Sequence, residues 1–530
     1  MKYWWLAPVV VFAVQMLVVS PVGEFPLNDD WVAALSVQRT LTTGAMVYPP
    51  YLAPYHLVPI LAGIGISGFF VFSFSVLRFI GIASAVGCVV LVYVWLRGNF
   101  RSPWIVTLGC LMLWLNPLFF NLSYTFMSDV PALLFLLLAI FCYHRGFMRS
   151  DNWWLIAGSL FAVAGFFTRQ VVLLILLTAA LQYLVSSGRR LRSALIVFVL
   201  PLFSLALLVV SLQYFGIVPG EVAAKWLPSG WSYLRHAVSV GWAHALILSL
   251  FLAPVTIALY VKNVSWLRQP LLWVAAFSLG TVAWISNAAG YLFPSLGNII
   301  NRSGIGPAAP VLQGDVSMFG PSWLYAFGYV VSAVLISFHC FAFVAFIKNH
   351  KYEGGHLTFL WTFSGIYLFI ILFVRSFDRY LLLLIPAMLW YSAMMLERFS
   401  WSRTVAFSLI FILGMYSIIG TGHYLAWNKA RWTLGNRLRM SGVPLTHIEG
   451  GYEWDGWYLY YPAREHPFGP STPEWAPWYV KQLAPQHQME YIISFSPVGG
   501  YRVTDRESVA FGPWGVQELY ASIVQPGSLK

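Results

Sequence analysis

The sequence predicts an α-helical polytopic membrane protein with about thirteen transmembrane helices and a small extracytoplasmic α/β C-terminal domain. Three observations predict it. The 530 residues are 59% hydrophobic and 9% charged with a mean hydropathy of +0.71, whereas a soluble domain is about 25% charged. Lys and Arg gather on one side of the apolar segments. Past residue 421 the composition turns polar, with acids, Pro, Trp and Tyr throughout and no further spanning run.

Taken in order, Tyr3 to Ser20 reads as an uncleaved first helix: the apolar run is too long for a signal peptide and no small-residue cleavage site follows. Residues 21–74 form a first outer loop with two amphipathic or interfacial pieces, one from Trp31 to Thr42 closed by Gly44 and one from His56 to Phe72. Spans are then expected near 75–96, 103–122, 129–144, 153–167, 170–186, 193–213, 237–260, 270–286, 323–347, 357–374, 379–396 and 404–421. Residues 1–421 thus form a transmembrane domain and 422–530 an extracytoplasmic one. In that tail, 490–495, 501–504 and 519–524 read as strands and 475–483 as a short helix.

With the N-terminus inside, the inner side collects fourteen bases, Lys2, Arg97, Arg101, Arg145, Arg149, Arg189, Arg190, Arg192, Lys262, Arg268, Lys348, Lys351, Arg398 and Arg403, against Asp151, Glu353 and Glu397, a net of +11, whereas the outer loops and helix ends net only +1. Nearly the whole net charge of +12 is therefore a topology signal. No nucleic-acid partner is needed to explain it. The four cysteines, Cys88, Cys110, Cys142 and Cys340, sit in apolar runs without metal-ligand spacing and read as small core residues.

Acids on the outer side carry the functional signal, because carboxylates are costly near a membrane. Asp29 and Asp30, in Asn28-Asp29-Asp30-Trp31, suit a general base whose neighbour holds its pKa up. They equally suit the N-cap of the helix that follows. Asp129, in Ser128-Asp129-Val130-Pro131, opens a helix on the same face, where Ser128 or Asp129 would also cap. Arg169 lies at an outer turn and reads as a snorkelling arginine or a bidentate phosphate ligand. Arg375 and Arg379 flank Asp378 in a third outer cluster, either an ion-paired loop or a phosphate site. His56 lies near the aspartates as a substrate or metal contact, or as an ordinary interfacial histidine.

Together, the acidic pair in the first loop, the amphipathic helix after it, Ser128-Asp129-Val130-Pro131, Gly165-Phe-Phe-Thr-Arg169, and Asp378-Arg379-Tyr380-Leu-Leu with Pro386 resemble the GT-C superfamily of integral-membrane glycosyltransferases. Within it the chain is most similar to the protein O-mannosyltransferase and aminoarabinose (lipid A) transferase group, over residues 1 to about 421. The resemblance implies sugar transfer from a polyprenyl-phosphate donor to a glycolipid, glycan or protein acceptor at the outer face of the cytoplasmic membrane. It implies Asp29 or Asp30 as base, Asp129 as a second acid, and basic groups at Arg169 and Arg379, which with the neighbouring Arg375 are expected to hold the donor phosphate. The displacement would be metal-assisted or run on a general base; a divalent metal ion is the one cofactor in view. One departure is notable: Pro54-Tyr55-His56 stands where the aminoarabinose group has a Glu-Lys pair. A transporter or flippase of lipid-linked sugars is the alternative, disfavoured because transporters set their ionisable groups near the midplane. Glu449, Glu453 and Asp455 of the tail lie among aromatics, as in a sugar-binding surface or a small packed domain.

Overall fold

The computed structural model describes residues 6–53, 55–186, 191–217, 231–290, 297–318, 320–349, 355–374, 376–465, 475–510 and 515–525. Arg375 lies outside them. Helix α1 (Leu6–Val18) leads into the first loop, which carries α2 (Asp30–Thr43) and α3 (Leu57–Phe69). Gly44 ends α2 in the left-handed conformation at φ 71°, its amide returning to the Thr40 carbonyl, as a glycine C-cap does. The membrane region continues with α4 (Phe74–Arg97), α5 (Pro103–Trp114), α6 (Pro117–Leu122), α7 (Asp129–Arg149), α8 (Asn152–Phe166), α9 (Leu174–Val185), α10 (Leu191–Ala194), α11 (Leu200–Tyr214), α12 (Trp231–Lys262) and α13 (Pro270–Ala288). After a small hairpin of β1 (Ile300–Asn301) and β2 (Gly304–Ile305), it ends in α14 (Ser322–Asn349), α15 (Thr358–Leu372), α16 (Ile385–Arg398) and α17 (Arg403–Met440).

Among the described residues, nine helices are long and apolar enough to cross a membrane. Each of the thirteen expected segments falls on helix, but several are short or broken, for local reasons. The 103–122 segment divides because Pro117 disfavours helix at the residue before it; Asn116 instead caps α6, accepting from the Leu118 amide at 3.0 Å. The segment from 379 begins as a 3-10 turn, Asp378–Leu384, before α16.

The C-terminal region holds β3 (Ile448–Glu449), α18 (Tyr452–Glu465), α19 (Trp478–Leu483), β4 (Tyr491–Ser494), β5 (Tyr501–Ala510) and β6 (Val516–Val524). Its sheet runs β3-β4-β6-β5, parallel at β3-β4 and antiparallel elsewhere. The compositional change at 421 falls inside α17, whose 38 residues exceed the roughly 20 that a bilayer needs. The surplus packs against β5 and β6. First loop and C-terminal domain share one core: Leu27, Trp31 and Leu35 pack with Tyr424, Trp427, Tyr452, Trp454 and Tyr460. At its centre Trp31 is fully buried, stacked on Tyr51 and edge-on to Tyr460. Gly456 makes room, since a Cβ there would lie 2.5 Å from the Trp31 ring.

Candidate active site

The two adjacent aspartates part company at the start of α2. Asn28, in the left-handed region at φ 55°, donates its amide to Glu453 Oε1 at 2.9 Å. Asp30 is buried, its Oδ1 accepting from the Leu27 amide at 2.7 Å and its Oδ2 from the Phe126 amide at 3.2 Å. Burial pushes its carboxyl up to about 7 against the pull of Arg78 and those amides. Asp29 occupies the N-cap position but makes no side-chain cap bond. Its side chain is 41% exposed, with Oδ2 at 2.8 Å from Arg379 Nη2 and Oδ1 accepting from the Tyr452 hydroxyl at 2.8 Å. One helical step of about 100° separates neighbouring side chains, which is how one acid reaches buried amides while the other meets a guanidinium.

A second acid–arginine pair adjoins the first. Asp129 opens α7 and is 1% exposed; its Oδ1 lies 2.5 Å from Arg169 Nη1 and, among the described residues, its Oδ2 has no hydrogen-bond partner. Ser128, at the cap position, makes no cap bond either. Arg169 is held by a tight turn, its amide donating to the Gly165 carbonyl at 2.7 Å. Glycine is required there because a Cβ would come within 2.4 Å of Val172 Cγ1. The Arg169 guanidinium lies 4.9 Å over the Tyr380 ring and that of Arg379 lies 6.0 Å from the same ring. Arg379 also reaches the Met127 sulfur at 3.8 Å, and the charges of both Asp29 and Asp129 bear on it. The structure thus brings Asp29, Asp129, Arg169 and Arg379 together around Tyr380.

The other candidates stand around this group. Asp378 is fully buried and spends its carboxylate on the backbone amides of Ile299, Ile300 and Arg379, at 2.9, 2.6 and 2.7 Å. It thereby fixes the β1 hairpin to the turn that carries Arg379. His56 precedes α3 and is buried; burial first, and the Arg169 charge second, push its imidazole down to about 3. It is therefore neutral beside Arg169, and the Val58 amide, donating to the Phe167 carbonyl at 3.0 Å, ties this end of α3 to the Arg169 turn. Among the described residues no three His, Cys, Asp or Glu side chains gather closely enough to hold a metal ion. Two residues of this site were not singled out by the sequence: Tyr452, and Tyr51, whose hydroxyl lies 3.4 Å from that of Tyr452. The cue was present in Glu449-Gly450-Gly451-Tyr452-Glu453, a glycine pair ahead of buried acids in a polar segment.

Residues 57–214 match a family model described as dolichyl-phosphate-mannose-protein mannosyltransferase. That segment contains Asp129 and Arg169, and the match agrees with the resemblance carried by the sequence motifs. No curated protein matches the chain. Among solved structures, the chain is similar to a crystal structure of ArnT from Cupriavidus metallidurans bound to undecaprenyl phosphate, at 12% identity and a TM-score of 0.39 over 98% of both chains. It is also similar to the apo form of that protein, at 14% identity and a TM-score of 0.35 over 97% of both chains.

Proposed function

We propose that the chain transfers a sugar from a polyprenyl-phosphate donor to a glycolipid, glycan or protein acceptor, with Asp29 as the general base. The observation that carries this reading is the state of Asp29: partly exposed, gripped on one oxygen by Arg379 and on the other by Tyr452, and adjoining the Asp129–Arg169 pair. These contacts orient Asp29 while its side chain still reaches solvent. Asp30 is assigned to holding the loop, because its oxygens serve the Leu27 and Phe126 amides. The dolichyl-phosphate sugar in the description of the matched family supports a polyprenyl-phosphate donor.

In the proposed reaction the acceptor oxygen bonds to the anomeric carbon as its proton passes to Asp29. The bond from that carbon to the phosphate oxygen breaks, and its electron pair leaves with the polyprenyl phosphate. This is a single displacement through an oxocarbenium-like state, akin to inverting glycosidases. Arg169 and Arg379 meet the charge that develops on the phosphate, and Arg375, outside the described residues, is assigned the same role from the sequence. A guanidinium carries five N–H donors, so each arginine keeps several beyond the one given to its aspartate. Asp129 Oδ2, buried and unpartnered, is placed to accept from a sugar hydroxyl. His56, neutral, is a candidate for the same service, and Asp378 supports the Arg379 turn. No step is routed through a metal ion, since the donors for one do not gather among the described residues.

The same reading sets the site at the outer face of the inner membrane, with the N-terminus inside and the C-terminal domain in the periplasm. The positive-inside asymmetry supports that orientation. The test is the purified protein in vesicles with radiolabelled polyprenyl-phosphate sugars. Release of polyprenyl phosphate together with a labelled glycosylated product is expected. Movement of intact donor across the bilayer without product would replace this reading by transport.

A further inference from the structure

Tyr452 begins α18 with its ring buried, and its backbone is pinned. Gly451 before it is left-handed at φ +92°, where a Cβ would lie 2.6 Å from the Val311 carbonyl oxygen. The Tyr452 amide donates to that same oxygen at 2.8 Å. The ring is walled by Trp31, edge-on at 5.9 Å, and by Trp478 at 5.4 Å. The hydroxyl therefore has little freedom, and it meets Asp29 Oδ1 at 2.8 Å with Tyr51 behind it. Burial, and then the Asp29 charge, push the Tyr452 phenol well above its ordinary value, so it stays a donor. The next residue, Glu453, accepts the Asn28 amide and pairs with Arg431 at 2.8 Å. One helix of the C-terminal domain thus grips both Asp29 and the residue before it.

Resting on the reading of Asp29 as base, we propose that Tyr452 is a positioning residue for the transfer. Its hydroxyl fixes Asp29 Oδ1 as Arg379 fixes Oδ2, so the C-terminal domain completes the reaction site. A carboxylate held at only one oxygen can turn about its side-chain bond, and near-attack geometry is lost with small misplacements. A donor to the ionised form also favours that form, so Tyr452 lowers the pH at which Asp29 becomes a competent base. Among the described residues, the charged and titratable groups facing Asp29 include Arg379 from the Asp378–Leu384 turn, Tyr452 from α18 and Tyr51 behind it. Asp30 is turned toward backbone amides, and Asp129 with Arg169 stands beyond Arg379.

Tyr452→Phe keeps the ring and removes the donor. It should lower kcat by about tenfold and leave KM for the lipid-linked donor within about twofold. The acidic limb of the kcat/KM profile should move up by about one pH unit. Difluorotyrosine at position 452, a stronger donor on an unchanged frame, should move the limb down. A purely structural role would move neither limb. An unmoved limb with unchanged kcat in Tyr452→Phe, while Asp29→Asn is inactive, would overturn this proposal and leave the base in place. Full turnover in Asp29→Asn would overturn both. Should Tyr452→Phe fail to fold, the difluorotyrosine protein decides: a limb moved down supports the proposal and an unmoved one overturns it.

Discussion

Two acid–arginine pairs contact the first loop, and they differ in what they leave unfinished. Arg431 and Glu453 are both 0% exposed, at 2.8 Å, with Arg431 also donating to Asn428 and Glu453 accepting from the Asn28 amide. Asp29 and Arg379 are equally close, but the acid is 41% exposed. The first pair is sealed from solvent, whereas the acid of the second reaches it. Equal distances therefore do not imply equal roles: a sealed pair fixes the chain, whereas a pair open to solvent can meet a substrate. The comparison extends to Asp30 and Asp29, adjacent in sequence, one spent on amides and the other oriented but accessible.

The comparison can be broken by substitution on either side. Arg379→Met, on the open side, should cut kcat/KM by about 100- to 1,000-fold, because it removes both the partner of Asp29 and a phosphate donor; steady-state kinetics with lipid-linked sugar would read it. Arg431→Met, on the sealed side, leaves Glu453 buried without its partner and should cost about 3 to 5 kcal/mol of stability, read by chemical unfolding in detergent. Equal losses of stability in the two variants would erase the distinction. Arg169→Lys keeps the charge but loses the planar fork, so KM for the donor should rise about tenfold with kcat less affected.

The smallest effect concerns Asp30. Its carboxyl is raised in the fold from 3.8 to about 7, so between those values the folded protein binds more protons than the unfolded chain. Stability from this group is then present at low pH and declines as pH rises through that window. Asp30→Asn has no proton to lose, and its unfolding midpoint should fall less between about pH 4 and pH 7 than that of the wild type.

Much of this was legible in the sequence because acid is scarce. Asp29, Asp30 and Asp129 stood out against 9% charged residues, and the charge asymmetry of the loops put them with Arg169 and Arg379 on one face. Hydropathy located the helices well, since burial in lipid and burial in protein both favour apolar residues. It did not show where α17 ends, because composition changes where a helix leaves the bilayer and not where its hydrogen bonding stops. Pairing was also out of reach. Whether Asp29 caps α2 or meets Arg379 depends on a residue 350 positions away, and its contact with Tyr452 spans 423. Asp378, flanked by arginines in sequence, turns instead to the backbone of the β1 hairpin, a choice that no local pattern encodes.

The most direct measurement is the rate of sugar transfer by Asp29→Asn in vesicles, taken with its unfolding midpoint and its retention of lipid-linked donor. The open-pair account predicts turnover reduced by about 100- to 10,000-fold, with the midpoint and donor binding of the wild type. Transfer at the wild-type rate would contradict it.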